Sequence, residues 1–515
     1  MVNQRLWQAA CLVIAAAAFG VVALVSQGIF ERIPHVEDEA AYWFQAQVFA
    51  EGRLSVPTPP EPQAYASPFV IDMNGRRFGK YPPGFPLLLS LGMRAGAPWA
   101  VNALLAAVSL VLTADLGRRL YSPVAGLLAA ALGLSCPALL AESGSLLSHT
   151  AALALAVLFA WAFVRMHLAL DEERRPGAWR WGLLAGVALG YLALTRPYDA
   201  LGVGLPFGVV TVIRLLGARR GPSGPAWMRA ALTMGVAAIL VALLLPIYWH
   251  ALTGQFTANP YLDIWAYDHP GFGPDVGVGG YTLHDAWFNL RFNLNAVATG
   301  LFGWPDDLNL LFLGLACLLW PRRGWNYLLL AWCASVIGLY TTYWFYGGHD
   351  GGFPRYYFVT LPTLWLLSGR GVELAALAMR RLAGHVSVRV GGALPALTLY
   401  PALVALVAYS GLIFLPPQLD VFRGRYGVTA APLLPVKQAG LQHALVFVAG
   451  VQHWTDFAPF FAADSPTLDS TVVYAISESA AQDQAVREAF PGRACYVQHN
   501  LRITPCEQES VEREP

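Results

Sequence analysis

The chain has 515 residues, of which 56% are hydrophobic and only 13% charged, with a formal net charge of +1. Together with a mean hydropathy of +0.48, this excludes an ordinary soluble globular protein and places the chain among integral membrane proteins. The net charge alone says nothing about nucleic acid, but no basic cluster interleaved with aromatics occurs in the parts expected outside the membrane, which argues against a nucleic-acid partner.

A spanning helix needs roughly 20 apolar residues, and about eleven windows qualify once short and proline-interrupted ones are admitted. They are 9–29, 98–116, 123–140, 149–167, 181–195, 201–216, 230–250, 308–320, 327–346, 356–371 and 392–415. The first is long and lacks a small-residue cleavage site before Glu31, so it is read as a retained anchor rather than a signal peptide. Turns holding Arg118 and Arg119, Arg174 and Arg175, Arg219 and Arg220, Arg322 and Arg323, and Arg380 and Arg381 alternate with turns poor in basic residues. By the positive-inside rule these turns are cytoplasmic, which puts loops 31–83 and 251–307 and everything after Leu415 on the outer face.

Just past the first window comes His35-Val36-Glu37-Asp38-Glu39-Ala40-Ala41-Tyr42-Trp43-Phe44. Acids at a helix start are favoured by the helix dipole, and for any one of the three that explanation suffices. Three exceed what capping requires. A carboxylate held beside the bilayer can act as a general base towards an acceptor hydroxyl, and Asp38 is assigned that role, with Glu37 and Glu39 beside it. Residues 40–51, with Tyr42, Trp43, Phe44, Val48 and Phe49, suit a helix lying flat in the interface. The rest of this loop is proline-rich and ends in Gly79-Lys80-Tyr81-Pro82-Pro83; structureless loops of such length are usually functional. Lys80 either snorkels to the interface or contributes a cation to a site.

Further along, Arg196 precedes Pro197-Tyr198-Asp199, so it is either a functional charge at the membrane edge or the partner of Asp199. Loop 251–307 carries Tyr261, Trp265, Tyr267, Asp268, His269, Phe272, Trp287 and Trp304. Such aromatics suit sugar stacking and an interfacial belt equally. Arg355-Tyr356 stands before a late window; the guanidinium fork matches phosphate oxygens, and Tyr356 serves the same group or the belt. His35, His149, His269, His349 and Asp350 show no zinc spacing. After Leu415 the composition turns soluble, with strands expected at 444–450 and 471–476 and a helix at 479–490, a small α/β domain over 416–515. Cys495 and Cys506 flank a segment of this tail and either form a disulfide or remain two thiols. The other four cysteines fall in apolar windows as packing residues.

The Asp38-Glu39 pair in the first outer loop, the juxtamembrane helix after it, Lys80 within Gly79-Lys80-Tyr81-Pro82, and Arg355-Tyr356 resemble the GT-C superfamily of membrane glycosyltransferases. The nearest likeness is to its bacterial branch of aminoarabinose transferases and protein O-mannosyltransferase relatives. The layout extends over residues 5–415, and the tail carries no family signal. The resemblance implies an α-helical polytopic fold over 1–415, Asp38 as the base, and Lys80 and Arg355, with Tyr81, Tyr356 and Arg196 nearby, holding a polyprenyl donor's phosphate. It also implies a sugar passing, with inversion, from that lipid-linked donor to a hydroxyl on a glycan, lipid or protein at the outer face of a bacterial inner membrane. The sequence departs from the branch at Gly79, where an acid that helps to bind a metal is usual, and this weakens a carried-over metal site. No cofactor is assigned; Glu37 with Glu39 is the alternative divalent-metal pair. The rival reading, a transporter or flippase of a lipid-linked or small polar substrate, would call for inverted repeats or charged, broken helices at the midplane, and neither is evident.

Overall fold

The computed structural model describes residues 3–171, 177–218, 223–319, 324–384 and 388–507, and each of the eleven windows has most of its described residues on helix, with 327–346 running into the turn after Tyr340. Helix α1 (Gln4–Gly28) leads to α2 (Glu37–Ala50), then to a small antiparallel sheet of β1 (Val56–Pro57), β2 (Val70–Met73) and β3 (Arg76–Gly79), then to α3 (Gly84–Arg94). The bundle continues with α4 (Ala100–Leu120), α5 (Pro123–Leu134), α6 (Pro137–Gly144), α7 (His149–Asp171), α8 (Ala178–Thr195) and α9 (Pro197–Ala218). Next come α10 (Gly224–Ala242), α11 (Leu244–Thr253), α12 (Pro260–Ile264), α13 (Leu283–Gly300), α14 (Leu311–Leu318) and α15 (Gly324–Tyr340). A two-stranded hairpin, β4 (His349–Asp350) and β5 (Phe353–Pro354), precedes α16 (Leu361–Gly384), α17 (Val388–Leu397) and α18 (Leu399–Tyr409).

Among the described residues six helices are long and apolar enough to cross a membrane, or seven when α5 and α6, bent by 57°, count as one span. The remaining windows fall on helices that are shorter, such as the 17-residue α15, or that carry charge, such as α16 with Arg370 and Glu373. Of the basic turns, Arg174, Arg175, Arg219, Arg220, Arg322 and Arg323 lie outside the described residues. Small residues bring helices together: a Cβ on Gly182, Gly186 or Gly190 of α8 would lie 2.5, 2.2 or 2.6 Å from the carbonyl oxygens of Ala230, Met234 and Ala238 on α10. This four-residue glycine ridge gives van der Waals contact where lipid offers no hydrophobic drive. Gly186→Leu is accordingly expected to force α8 off α10 and lower the melting temperature of the purified protein.

The tail consists of α19 (Leu415–Asp420), α20 (Leu434–Gln438), β6 (Ala444–Ala449), α21 (Trp454–Ala463), β7 (Val472–Ser477), α22 (Ala480–Ala489), β8 (Ala494–His499) and β9 (Arg502–Pro505). Its sheet has the order β7-β6-β8-β9; β6 is parallel to both neighbours, and β9 pairs antiparallel with β8. A central parallel strand is covered on both faces, which is why β6 reads as an unbroken apolar run. Both expected strands and the expected helix are present; α21, β8 and β9 are additional. Cys495 and Cys506 are joined in a disulfide.

Helix α2 departs from the interfacial role expected of it, because both of its faces are buried. Ala40, Phe44 and Val48 share a core with Val446, Phe457, Phe460 and Phe461 of the tail, whereas Ala41, Tyr42 and Ala46 pack with Phe69, Tyr81 and Phe85. A helix apolar all round needs cover all round. The tail is therefore docked on the helix that opens with the three acids, and Trp43 Nε1 and Gln47 Nε2 secure it by donating to the carbonyls of Ala462 and Asp464 at 3.0 and 2.8 Å.

Candidate active site

Consecutive residues of a helix point about 100° apart, so the three acids at the start of α2 diverge. Glu39, 1% exposed, turns back on the chain: Oε2 accepts from the N–H groups of His35 and Val36 at 2.6 and 3.3 Å, and Oε1 from that of Leu146 at 2.7 Å. Burial pushes its carboxyl above the usual range, and His35 and those backbone donors offset this in part. Glu37 accepts from Trp454 Nε1 of the tail at 3.1 Å. Asp38, with its side chain 24% exposed, faces a cavity of about 550 Å³ at the end of the bundle where α7 and α9 begin and α8 and α15 finish. Glu37 and Asp38 line this cavity and Glu39 does not.

The cavity wall gathers Lys80, Tyr81, Arg196, Arg355 and Tyr356 from three separate stretches of chain. Tyr81 donates its hydroxyl hydrogen bond to Asp38 Oδ1, and burial, followed by the Asp38 charge, holds its phenol well above the usual range, so it keeps its proton. Arg355 Nη1 lies 3.9 Å from Asp38 Oδ2, just beyond the β4–β5 hairpin. Tyr356 stacks on Tyr340 with centroids 4.7 Å apart. Arg196 is paired with Asp199, its Nε 2.7 Å from Asp199 Oδ2; its Nη2 donates to the Tyr340 hydroxyl at 3.2 Å, and it borders the cavity.

Lys80 is placed by a tight hairpin. Asn74 and Gly75 between β2 and β3 have φ of 53° and 72°, the left-handed pair that a type I′ turn requires. The Gly79 N–H at the end of β3 donates to Gln45 Oε1 on α2 at 2.9 Å, and the Lys80 N–H to the Phe69 carbonyl at 2.9 Å. This fixes the lysine relative to the acids. Its side chain is 2% exposed, and the ammonium lies 3.5 Å from the ring centroid of Phe69, 4.8 Å from Trp265, 5.0 Å from Tyr261 and 5.2 Å from Tyr81. Asp268 Oδ2 stands 3.8 Å away. Burial lowers the Lys80 pKa from its usual value of 10.5, against the pull of Asp38, Asp268 and Glu37.

No family model and no curated protein sequence matches the chain. Among solved structures, that of ArnT from Cupriavidus metallidurans bound to undecaprenyl phosphate covers 97% of this chain and 94% of its own, with a TM-score of 0.59 and 14% identity. The chain has the ArnT fold. The apo form of ArnT aligns with a TM-score of 0.57 over the same shares, and the Archaeoglobus fulgidus oligosaccharyltransferase covers 94% of this chain and 69% of its own at 12% identity and a TM-score of 0.45. The likeness read from the short motifs extends, as a likeness of fold to ArnT, over nearly the whole chain. The ArnT-like architecture also includes the tail, which the motifs did not reach.

Within this ArnT-like frame several cavity residues carry no assignment from sequence. Asp268 accepts from the Tyr343 hydroxyl and, at 3.2 Å, from Trp344 Nε1. Tyr42 and Ser148 share a hydrogen bond of 3.0 Å beside the cavity. Tyr340 and Tyr343, three residues apart at the end of α15, supply two further phenols, and Arg425 and Tyr426 reach the rim from the tail. The tyrosine spacing was a legible signal; the tail residues had none. Among the described residues no group of three or more His, Cys, Asp or Glu side chains is placed to hold a metal ion. The alternative pair Glu37 and Glu39 is not assembled, because the Glu39 oxygens are directed at backbone donors.

Proposed function

We propose that the protein transfers a sugar from a polyprenyl-phosphate donor to a hydroxyl of a glycan, lipid or protein, with inversion, as a hexosyl- or pentosyltransferase. The observation that carries this reading is the convergence on one cavity of an accessible carboxylate, Asp38, with the cations Lys80, Arg355 and Arg196. ArnT is described with undecaprenyl phosphate bound, and the fold shared with it supports a donor of that kind.

In the proposed step Asp38 takes the proton from the acceptor hydroxyl as that oxygen attacks the anomeric carbon. The bond from that carbon to the phosphate oxygen breaks, and its electron pair leaves with the prenyl phosphate. Lys80 and Arg355 hold the departing phosphate, whose charge grows along the reaction, so they stabilise the transition state more than the bound donor. Tyr81, donating to Oδ1, fixes the Asp38 rotamer and leaves Oδ2 towards Arg355. Membrane lipid surrounds the spans. The described basic pairs Arg118 with Arg119 and Arg380 with Arg381 close α4 and α16 at the ends away from the cavity. This supports a bacterial plasma-membrane orientation with the cavity and tail outside.

Purified protein incubated with radiolabelled polyprenyl-phosphate sugars and cell-envelope extract should move one of the labels to an acceptor; no movement with any donor of a broad panel would reject the proposal. A lysine binds phosphate only while protonated, and burial lowers the Lys80 pKa, so donor binding should fade with rising pH before the usual lysine value of 10.5 is reached. Lys80→Arg keeps its charge throughout, and its alkaline limit should lie at higher pH in a titration of donor affinity.

A further inference from the structure

Lys80 faces a difficulty created by the charge of the reaction's own product. A sugar–phosphate–prenyl donor is a phosphodiester with one negative charge, while the released prenyl phosphate is a monoester whose second ionisation lies near pH 6. A buried site built from Lys80 and Arg355 would hold the product more tightly than the donor and slow its own turnover. Asp268 stands where it opposes this. Its Oδ2 is 3.8 Å from the Lys80 ammonium, and its Oδ1 is anchored by the Tyr343 hydroxyl and, at 3.2 Å, by Trp344 Nε1. The carboxylate is thus aimed and cannot swing away when a phosphate arrives. Lys80 belongs to the first loop and Asp268 to the second, so the pair also joins the two loops across the cavity.

We infer that Asp268 is a positioning residue acting through Lys80: it is the fixed counter-ion that reclaims the ammonium and expels the prenyl-phosphate product. This rests on the transfer reaction proposed above. Its repulsion scales with the charge of the bound phosphate, so it burdens the product more than the donor. The other charged and titratable groups facing the pair in this cavity include Asp38, Glu37, Arg355, Arg196 and His149, with the phenols of Tyr81, Tyr261, Tyr343 and Tyr356. Each is present in both variant and parent, so its direct pull on the phosphate is common to the two titrations.

Asp268→Asn keeps the oxygen that accepts from Tyr343 and Trp344 and removes only the charge. Full-length protein and the variant, both in lipid nanodiscs, are titrated with undecaprenyl phosphate at pH 5.5 and 7.5. The variant should bind it on the order of tenfold more tightly at pH 7.5 and with a smaller advantage at pH 5.5, where the phosphate is largely monoanionic. In the transfer assay kcat and the donor KM should fall together as release becomes limiting. Equal or weaker binding by the variant, or an advantage that is the same at both pH values, overturns the role of Asp268 while leaving the transfer reaction standing. A parent protein that binds no undecaprenyl phosphate at either pH overturns both.

Discussion

Asp38→Asn should lower sugar transfer by about a hundred- to ten-thousandfold, the usual contribution of a positioned base, with no loss of undecaprenyl-phosphate affinity. Asparagine has the same shape and still offers an oxygen to the Tyr81 hydroxyl, so the wall of the cavity is preserved. It cannot accept the acceptor's proton. A loss confined to turnover is the mark of a group that acts in the chemical step. Single-turnover rates measured beside donor binding separate the two quantities, and a variant that still turns over at the parental rate would remove Asp38 from the reaction.

The neighbouring acid should behave in the opposite way. Glu39→Ala leaves the N–H groups of His35, Val36 and Leu146 without their acceptor in a region closed to water. Each orphaned buried donor costs about 1–3 kcal/mol, so the variant should melt well below the parent, and the turn that presents Asp38 should loosen with it. Glu39→Gln is expected to fall between, since an amide supplies one acceptor oxygen and turns an NH₂ towards a backbone donor. Thermal melts of the purified proteins read this directly. If Glu39→Ala melts with the parent and yet has lost transfer, Glu39 belongs to the chemistry rather than to the fold.

The contrast shows where sequence reading reaches its limit. The run of three acids, the lysine after the proline-rich loop and the arginine before a late span were legible because charge beside hydrocarbon is rare and demands a reason. That Glu39 turns away from the cavity was not legible, because it depends on the helical phase of α2 and on Leu146, a residue more than a hundred positions away. The strands at 444–449 and 472–477 could be read from long apolar runs, whereas β8, whose apolar stretch gives way to Gln498-His499, and the four-residue β9 offered no such pattern. Asn74-Gly75 was a readable hairpin signal that places Lys80. Asp268 was visible only as one residue in an aromatic loop, since its meaning comes from a lysine nearly two hundred positions earlier.

Because one face of α2 is completed by residues near 446 and 457–461, the segment bearing Asp38 leaves the ribosome with half its covering still untranslated. Some four hundred residues separate Trp43 from its hydrogen-bond partner Ala462. A chain that stops early would thus carry Lys80, Arg196 and Arg355 and still present Asp38 on an unsupported helix, so the last fifth of the polypeptide licenses the first tenth.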